Sequence, residues 1–104
     1  MATIRVRLLS EFKRVLSEVE YFPLDVLDCP AISKAGQPML GHVDPYGDTM
    51  FNRAQMRTLL DEIDALLAAD APLTADQRRY LSFLGRLCVL GDDAPHRYLW
   101  IWGA

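Results

Sequence analysis

The segment from Asp44 to Asp70 constrains this chain more than any other, because a turn, a helix cap and an amphipathic period follow one another without a gap. Asn52 and Gln55 stand at the spacing of a capping box. The Asn52 side chain accepts from a backbone N–H one turn in, and the Gln55 side chain reaches back to the backbone N–H of Asn52. Phe51 and Met56 hold the flanking positions of a hydrophobic staple. Met56, Leu59, Leu60, Ile63, Leu66 and Leu67 then recur at i, i+3, i+4 and i+7, the period of one buried helix face. Arg57, Asp61, Glu62 and Asp64 occupy the other face. Pro72 disfavours helical geometry at Ala71, so the helix is expected to end just before it. Upstream, Asp44-Pro45-Tyr46-Gly47 has Asp, Pro and Gly where a β-turn favours them, and Asp48 and Thr49 are expected to act as further local caps.

A second capping box, Thr74 with Gln77, opens a second helix. Its broad apolar face comprises Tyr80, Leu81, Phe83, Leu84, Leu87, Cys88 and Leu90, and Gly91 is expected at C′. Two capped helices on a short linker predict an antiparallel pair.

The chain ends offer the other regular patterns. Residues 2–9 alternate Ile4, Val6 and Leu8 against Thr3, Arg5 and Arg7, which predicts a half-buried strand. Phe12, Val15, Leu16 and Val19 fit a helical stripe with Ser10 as its N-cap; we expect a helix there, against a rival strand reading. Residues 20–43 are punctuated by Pro23, Pro30, Gly36 and Pro38, with residues 23–30, PLDVLDCP, expected as a short edge strand or packed loop and residues 39–43 as a short strand. So long a stretch of weak period is a place where function often sits. Near the C-terminus, RYLWIWG sets Tyr98, Trp100 and Trp102 on one strand face and Leu99 and Ile101 on the other. With both faces apolar, this strand is expected at the centre of a sheet, or with one face covered by a partner. The expected fold over residues 1–104 is a single α+β domain: a small two-layer arrangement with an antiparallel sheet that includes the N- and C-terminal strands and a helix pair packed on one face.

Composition excludes several classes of function. A chain of 104 residues, 51% hydrophobic and 24% charged, can build a core. A net charge of −3 lacks the basic surface that nucleic acid requires. No apolar run reaches the roughly 20 residues of a membrane span. The N-terminal MATIRVRLLSEFKR is charged too early for a signal peptide, so a cytoplasmic protein is expected. Cys29 and Cys88 form no metal motif and read as reduced, buried thiols. Phosphate loops, GxGxxG, GxSxG and zinc-finger spacings do not occur, so no cofactor and no catalytic residues are assigned.

Two groups remain. His42, Asp44 and Asp48, with Tyr46 between them, are the local cluster from which a small metal-dependent enzyme or ligand binder would be built, although turn and cap roles already account for both aspartates. His96, in DDAPHR, reads as an exposed turn residue before it reads as a general base. The second group is aromatic. Tyr98, Trp100 and Trp102 either pack beneath the helices, as large aromatics commonly do, or form part of an interface. Asp61, Glu62 and Asp64 are a solvated helix face that would also suit a basic partner.

The stretch GHVDPYGDTMFNRAQMRTLLDEIDAL, together with RYLWIWG, resembles a group of small uncharacterised bacterial proteins with a DPYGDT-type segment, a central helix and a closing aromatic strand. The likeness covers about residues 40–67 and 97–103; Ala104 stands where that group would have an acidic residue. The resemblance implies an immunity-type protein that neutralises a toxin, or an accessory protein that binds a partner. The expectation is therefore a non-enzymatic domain that binds another protein through Tyr98, Trp100 and Trp102 with the acidic helix face. A homodimer, formed by edge pairing of RYLWIWG, is an open alternative.

Overall fold

A computed structural model describes residues 3–103; Ala2, the first residue of the expected N-terminal strand, and Ala104 lie outside them. Alternation at the N-terminus produces β1 (Thr3–Leu9), which buries Ile4, Val6 and Leu8. It pairs antiparallel with β2 (Val15–Pro23) on one side and with β4 (Tyr98–Trp102) on the other. A short strand, β3 (Asp48–Phe51), completes the sheet by pairing with β4, giving the order β2-β1-β4-β3. Two helices, α1 (Arg53–Ala68) and α2 (Ala75–Asp92), connect β3 to β4 and cover one face of the sheet. The result is an antiparallel α+β two-layer fold.

Both helices start where their caps require. The Asn52–Gln55 and Thr74–Gln77 boxes form in both directions. Their last turns are closed from a distance by arginines. Arg78 donates to the carbonyls of Leu67 and Ala71, and Arg97 donates to that of Leu90. At the end of the pair away from their linker, where α2 finishes beside the start of α1, Asp92 accepts from Nε of both Arg53 and Arg57. Those two guanidiniums, Arg57 first, hold the Asp92 carboxyl below its ordinary range. Phe51, Met56, Leu59, Ile63 and Leu66 then meet Leu81, Leu84, Leu87 and Cys88 over the sheet, in one core. Burial, with the charge of Asp64 second, pushes the Cys88 thiol up to about 12.

Four local expectations are corrected. The segment expected as a helix, residues 10–19, is a hairpin loop followed by β2. Ser10 does cap, since its Oγ accepts from Arg14 N at 3.1 Å, but the bond closes the hairpin. The loop is a turn from Ser10 to Lys13 with Lys13 left-handed at φ 61°, a position usually given to glycine. Asp48 and Thr49 are strand residues in β3, with Thr49 Oγ1 accepting from Asp44 N at 3.0 Å. Residues 39–43 form no strand, Leu40–His42 being a single 3₁₀ turn, whereas residues 24–30 take the loop alternative, with Leu24–Val26 a 3₁₀ turn. Gly91 lies inside α2 with no positive φ. It is small because a Cβ there would overlap Sδ of Met56.

Candidate interaction surface

The two faces of β4 have different environments. Leu99 and Ile101 point at the helices and are fully buried. Tyr98, Trp100 and Trp102 lie on the opposite face, where the described residues include no helix, and are half-buried. The aromatic residues therefore do not pack beneath the helices, and the strand is central because β1 and β3 flank it. Having neighbours on both edges, β4 cannot pair edge to edge with a copy of itself.

Register sets the composition of this open face. Arg5 and Asp48 flank Trp102, Arg7 and Met50 flank Trp100, and Leu9 sits beside Tyr98. The indoles of Trp100 and Trp102 lie with centroids 3.6 Å apart, tilted by 34°. The Arg7 guanidinium stands 4.6 Å from the Trp102 ring centroid while its Nε donates to Glu18 at 2.8 Å. A cation held this way shields part of the indole and keeps a charge in water. Toward the hairpin the shielding ends. Leu9, Ser10, Lys13, Met50, Tyr98 and Trp100 line a groove of about 480 Å³, with Met50 50% exposed and Phe12, on the loop, 87% exposed. Leu9, Phe12, Met50, Arg5 and Arg7 belong to this surface and were not legible as its members. Their alternation shows two faces, but only strand register shows which residues lie beside the tryptophans.

The acidic helix residues do not join this surface. Asp61 and Asp64 are exposed on α1, in the layer on the far side of the sheet. Glu62 is half-buried, and its carboxylate accepts from the backbone N–H groups of Met39, at 2.9 Å, and Leu40, at 3.0 Å. It therefore fastens the irregular segment to α1 by satisfying N–H groups at the start of the 3₁₀ turn.

His42, Asp44, Tyr46 and Asp48 are spread along the turn before β3. His42 Nδ1 bonds the carbonyl oxygen of Pro38, and Asp44 Oδ1 accepts from Tyr46 N at 2.9 Å. Tyr46 is exposed, and Asp48 points to the open face beside Trp102. Among the described residues no group of three His, Cys, Asp or Glu is placed to hold a metal ion. His42 and Asp44 do border a cavity of about 450 Å³ within the irregular segment, whose walls include Leu24, Leu27, Ile32 and Leu40. His96 is exposed and left-handed at φ 62° in the turn before β4. Cys29 is half-buried and Cys88 buried; both are free thiols.

No helix among the described residues is long and apolar enough to cross a membrane. Compared with known proteins, the chain matches no family model and has no significant match among curated proteins or solved structures.

Proposed function

We propose that this chain is a non-enzymatic protein-binding domain of the bacterial cytoplasm, an immunity-type or accessory protein that offers the helix-free face of its sheet to a partner. One observation supports the reading above the rest: Trp100 and Trp102 stand half-exposed on an uncovered face beside an apolar groove. Tryptophan and tyrosine on such a face bury large, rigid area when a partner arrives, and they are enriched among residues that dominate binding energy. Arg5, Arg7 and Glu18 form a polar border to the aromatic patch, the arrangement of interface core and rim. The test is a comparison of baits in lysate of the native host. Wild-type protein should retain a partner that Trp100→Glu protein loses, with both baits equally folded by circular dichroism. Identical capture by the two baits would remove the aromatic face from the function.

A second reading, a ligand or metal site centred on His42, Asp44, Tyr46 and Asp48, draws its support from the cavity that His42 and Asp44 border. It predicts stoichiometric metal after gentle purification, lost in His42→Ala. Metal-free protein whose melting temperature is unmoved by chelator and by added Zn²⁺ or Mg²⁺ would dispose of the metal form of this reading.

A further inference from the structure

We infer that the occupant of the helix-free face is a second copy of this chain, packed sheet on sheet about a two-fold axis running along β4; the inference rests on reading that face as the interaction surface. The argument is the order of side chains across the strands. One row reads Asp48, Trp102, Arg5 from β3 through β4 to β1, and the next reads Met50, Trp100, Arg7. Each row thus has an aromatic centre and a cation on its β1 side, and the first has an anion on its β3 side. A two-fold axis along β4 exchanges those sides and keeps each row at its own level. Asp48 then faces the partner's Arg5, Met50 faces the aliphatic stem of the partner's Arg7, and the tryptophans meet at the axis. The same pairs form twice, as an isologous contact demands.

The two charged groups of the first row are free to make their contact, whereas Arg7 keeps its Nε on Glu18 and offers only its stem. Asp48 forms no ion pair among the described residues, and Arg5 has only Glu20, at 4.0 Å with both side chains more than half exposed. Packed sheets lie about 10 Å apart, a gap that an arginine and an aspartate reaching toward each other can bridge. The alternative self-contact, along the free edge of β2, is disfavoured by charge. Antiparallel pairing of β2 with its copy about Val19 sets Glu18 opposite Glu20. Strands of 7, 9, 4 and 5 residues, at about 3.4 Å per residue and about 4.8 Å apart, give a footprint of roughly 400 Å², below the ~800 Å² per partner of standard stable complexes. The dimer is expected to be a weak one that assembles with concentration.

The experiment is sedimentation velocity of the full chain from about 1 μM to about 1 mM, a range that brackets a weak, small-interface dimer, with the charge-swap variants Asp48→Lys and Arg5→Glu. Wild type should pass from monomer to dimer. Each variant alone sets like charges across the axis twice and should dimerise at least about ten-fold more weakly. An equimolar mixture of the two should recover. In the mixed dimer the introduced lysine of one copy meets the introduced glutamate of the other, and the remaining Arg5 and Asp48 meet as in the wild type. Recovery also shows that both variants are folded. Wild type that remains monomeric throughout, or a dimer indifferent to both swaps, overturns the inference. The bait comparison separates the two failures. A monomer that still retains a host protein dependent on Trp100 keeps the protein-binding reading with a different partner, whereas a monomer that retains none loses both.

Discussion

Leu99 and Trp100 are neighbours in the chain and live on opposite sides of the sheet. On the helix side, Ile4, Val6, Leu8, Leu99 and Ile101 interlock with α1 and α2 and lose essentially all their exposure. On the open side, Trp100 and Trp102 keep part of theirs, and over the Trp102 ring stands one guanidinium held by Glu18. Within β4 itself both sides carry large side chains with apolar surface. Branched aliphatic chains interdigitate with helix ridges at crystal-like density, while the broad indoles lean on each other, tilted by 34°, on a surface that no described helix covers. An apolar strand face is thus not by itself a buried one, and the difference can be measured.

The largest expected contrast lies within β4. Ile101→Ala should cost about 2–5 kcal/mol, since it empties a fully packed site, whereas Trp100→Ala, at a half-exposed site, should cost about 1–2 kcal/mol, a fraction of the full-burial value for a larger side chain. Urea unfolding at low protein concentration reads both; equal losses would break the distinction between the faces.

The next contrast sharpens how tightly the covered side is packed. Gly91→Ala drives a Cβ into Met56, with Leu8 Cδ1 3.3 Å away, and should destabilise by about 1–3 kcal/mol. Gly85→Ala, in the same helix, meets Leu60 and Ile63 at ordinary distances of 3.5 and 3.6 Å. Freed from clash, it should stabilise by up to about 1 kcal/mol through helix propensity. Thermal melts showing stabilisation by both would mean that α2 lies farther from the core at Gly91.

On the outer surface of the helix layer, Glu62→Ala should cost about 1–2 kcal/mol because two backbone N–H groups lose a charged acceptor. Asp61→Ala, one residue away and exposed, should change stability by less than about 0.5 kcal/mol. Loss of proteolytic protection in residues 33–43, seen for Glu62→Ala alone, would locate the effect.

The last effect is confined to alkaline solution. With its thiol raised to about 12 from an ordinary 9.0, Cys88 stays protonated in the fold while the unfolded chain releases that proton. Its contribution is complete below pH 9 and is lost as pH rises toward 12, with a slope of at most about 1.4 kcal/mol per pH unit. Cys88→Val should flatten that part of the stability–pH curve; an unchanged slope would mean that the thiol is less buried than its place among Leu84 and Leu87 implies.

Both helices and their starts were legible because each capping box is closed by residues three apart. The two terminal strands were legible from alternation. The hairpin was not. Phe12, Val15, Leu16 and Val19 match a helical period, yet the first three are exposed and only Val19 packs on the core. The turn that makes the hairpin puts Lys13, not glycine, in the left-handed position, so its usual sign was missing. β3 is short and exists through its pairing with β4, which lies beyond both helices in the chain. Of the candidate surface, the aromatic triplet was legible and its surroundings were not. Glu62 looked like one of three equivalent solvated acids, and only the approach of Met39 and Leu40 makes it different.

What the chain specifies locally is two capped helices joined as a pair, the turn at residues 44–47, and two strands with their alternating sides. Those features depend on contacts within a few residues, so a short window contains their cause. Long-range packing settled which side of β4 the helices cover, which charges stand beside the tryptophans, and that Val15–Pro23 is a strand. Each of these depends on register between segments far apart in the chain, and a shift of one residue in register would turn the aromatic face from open to covered.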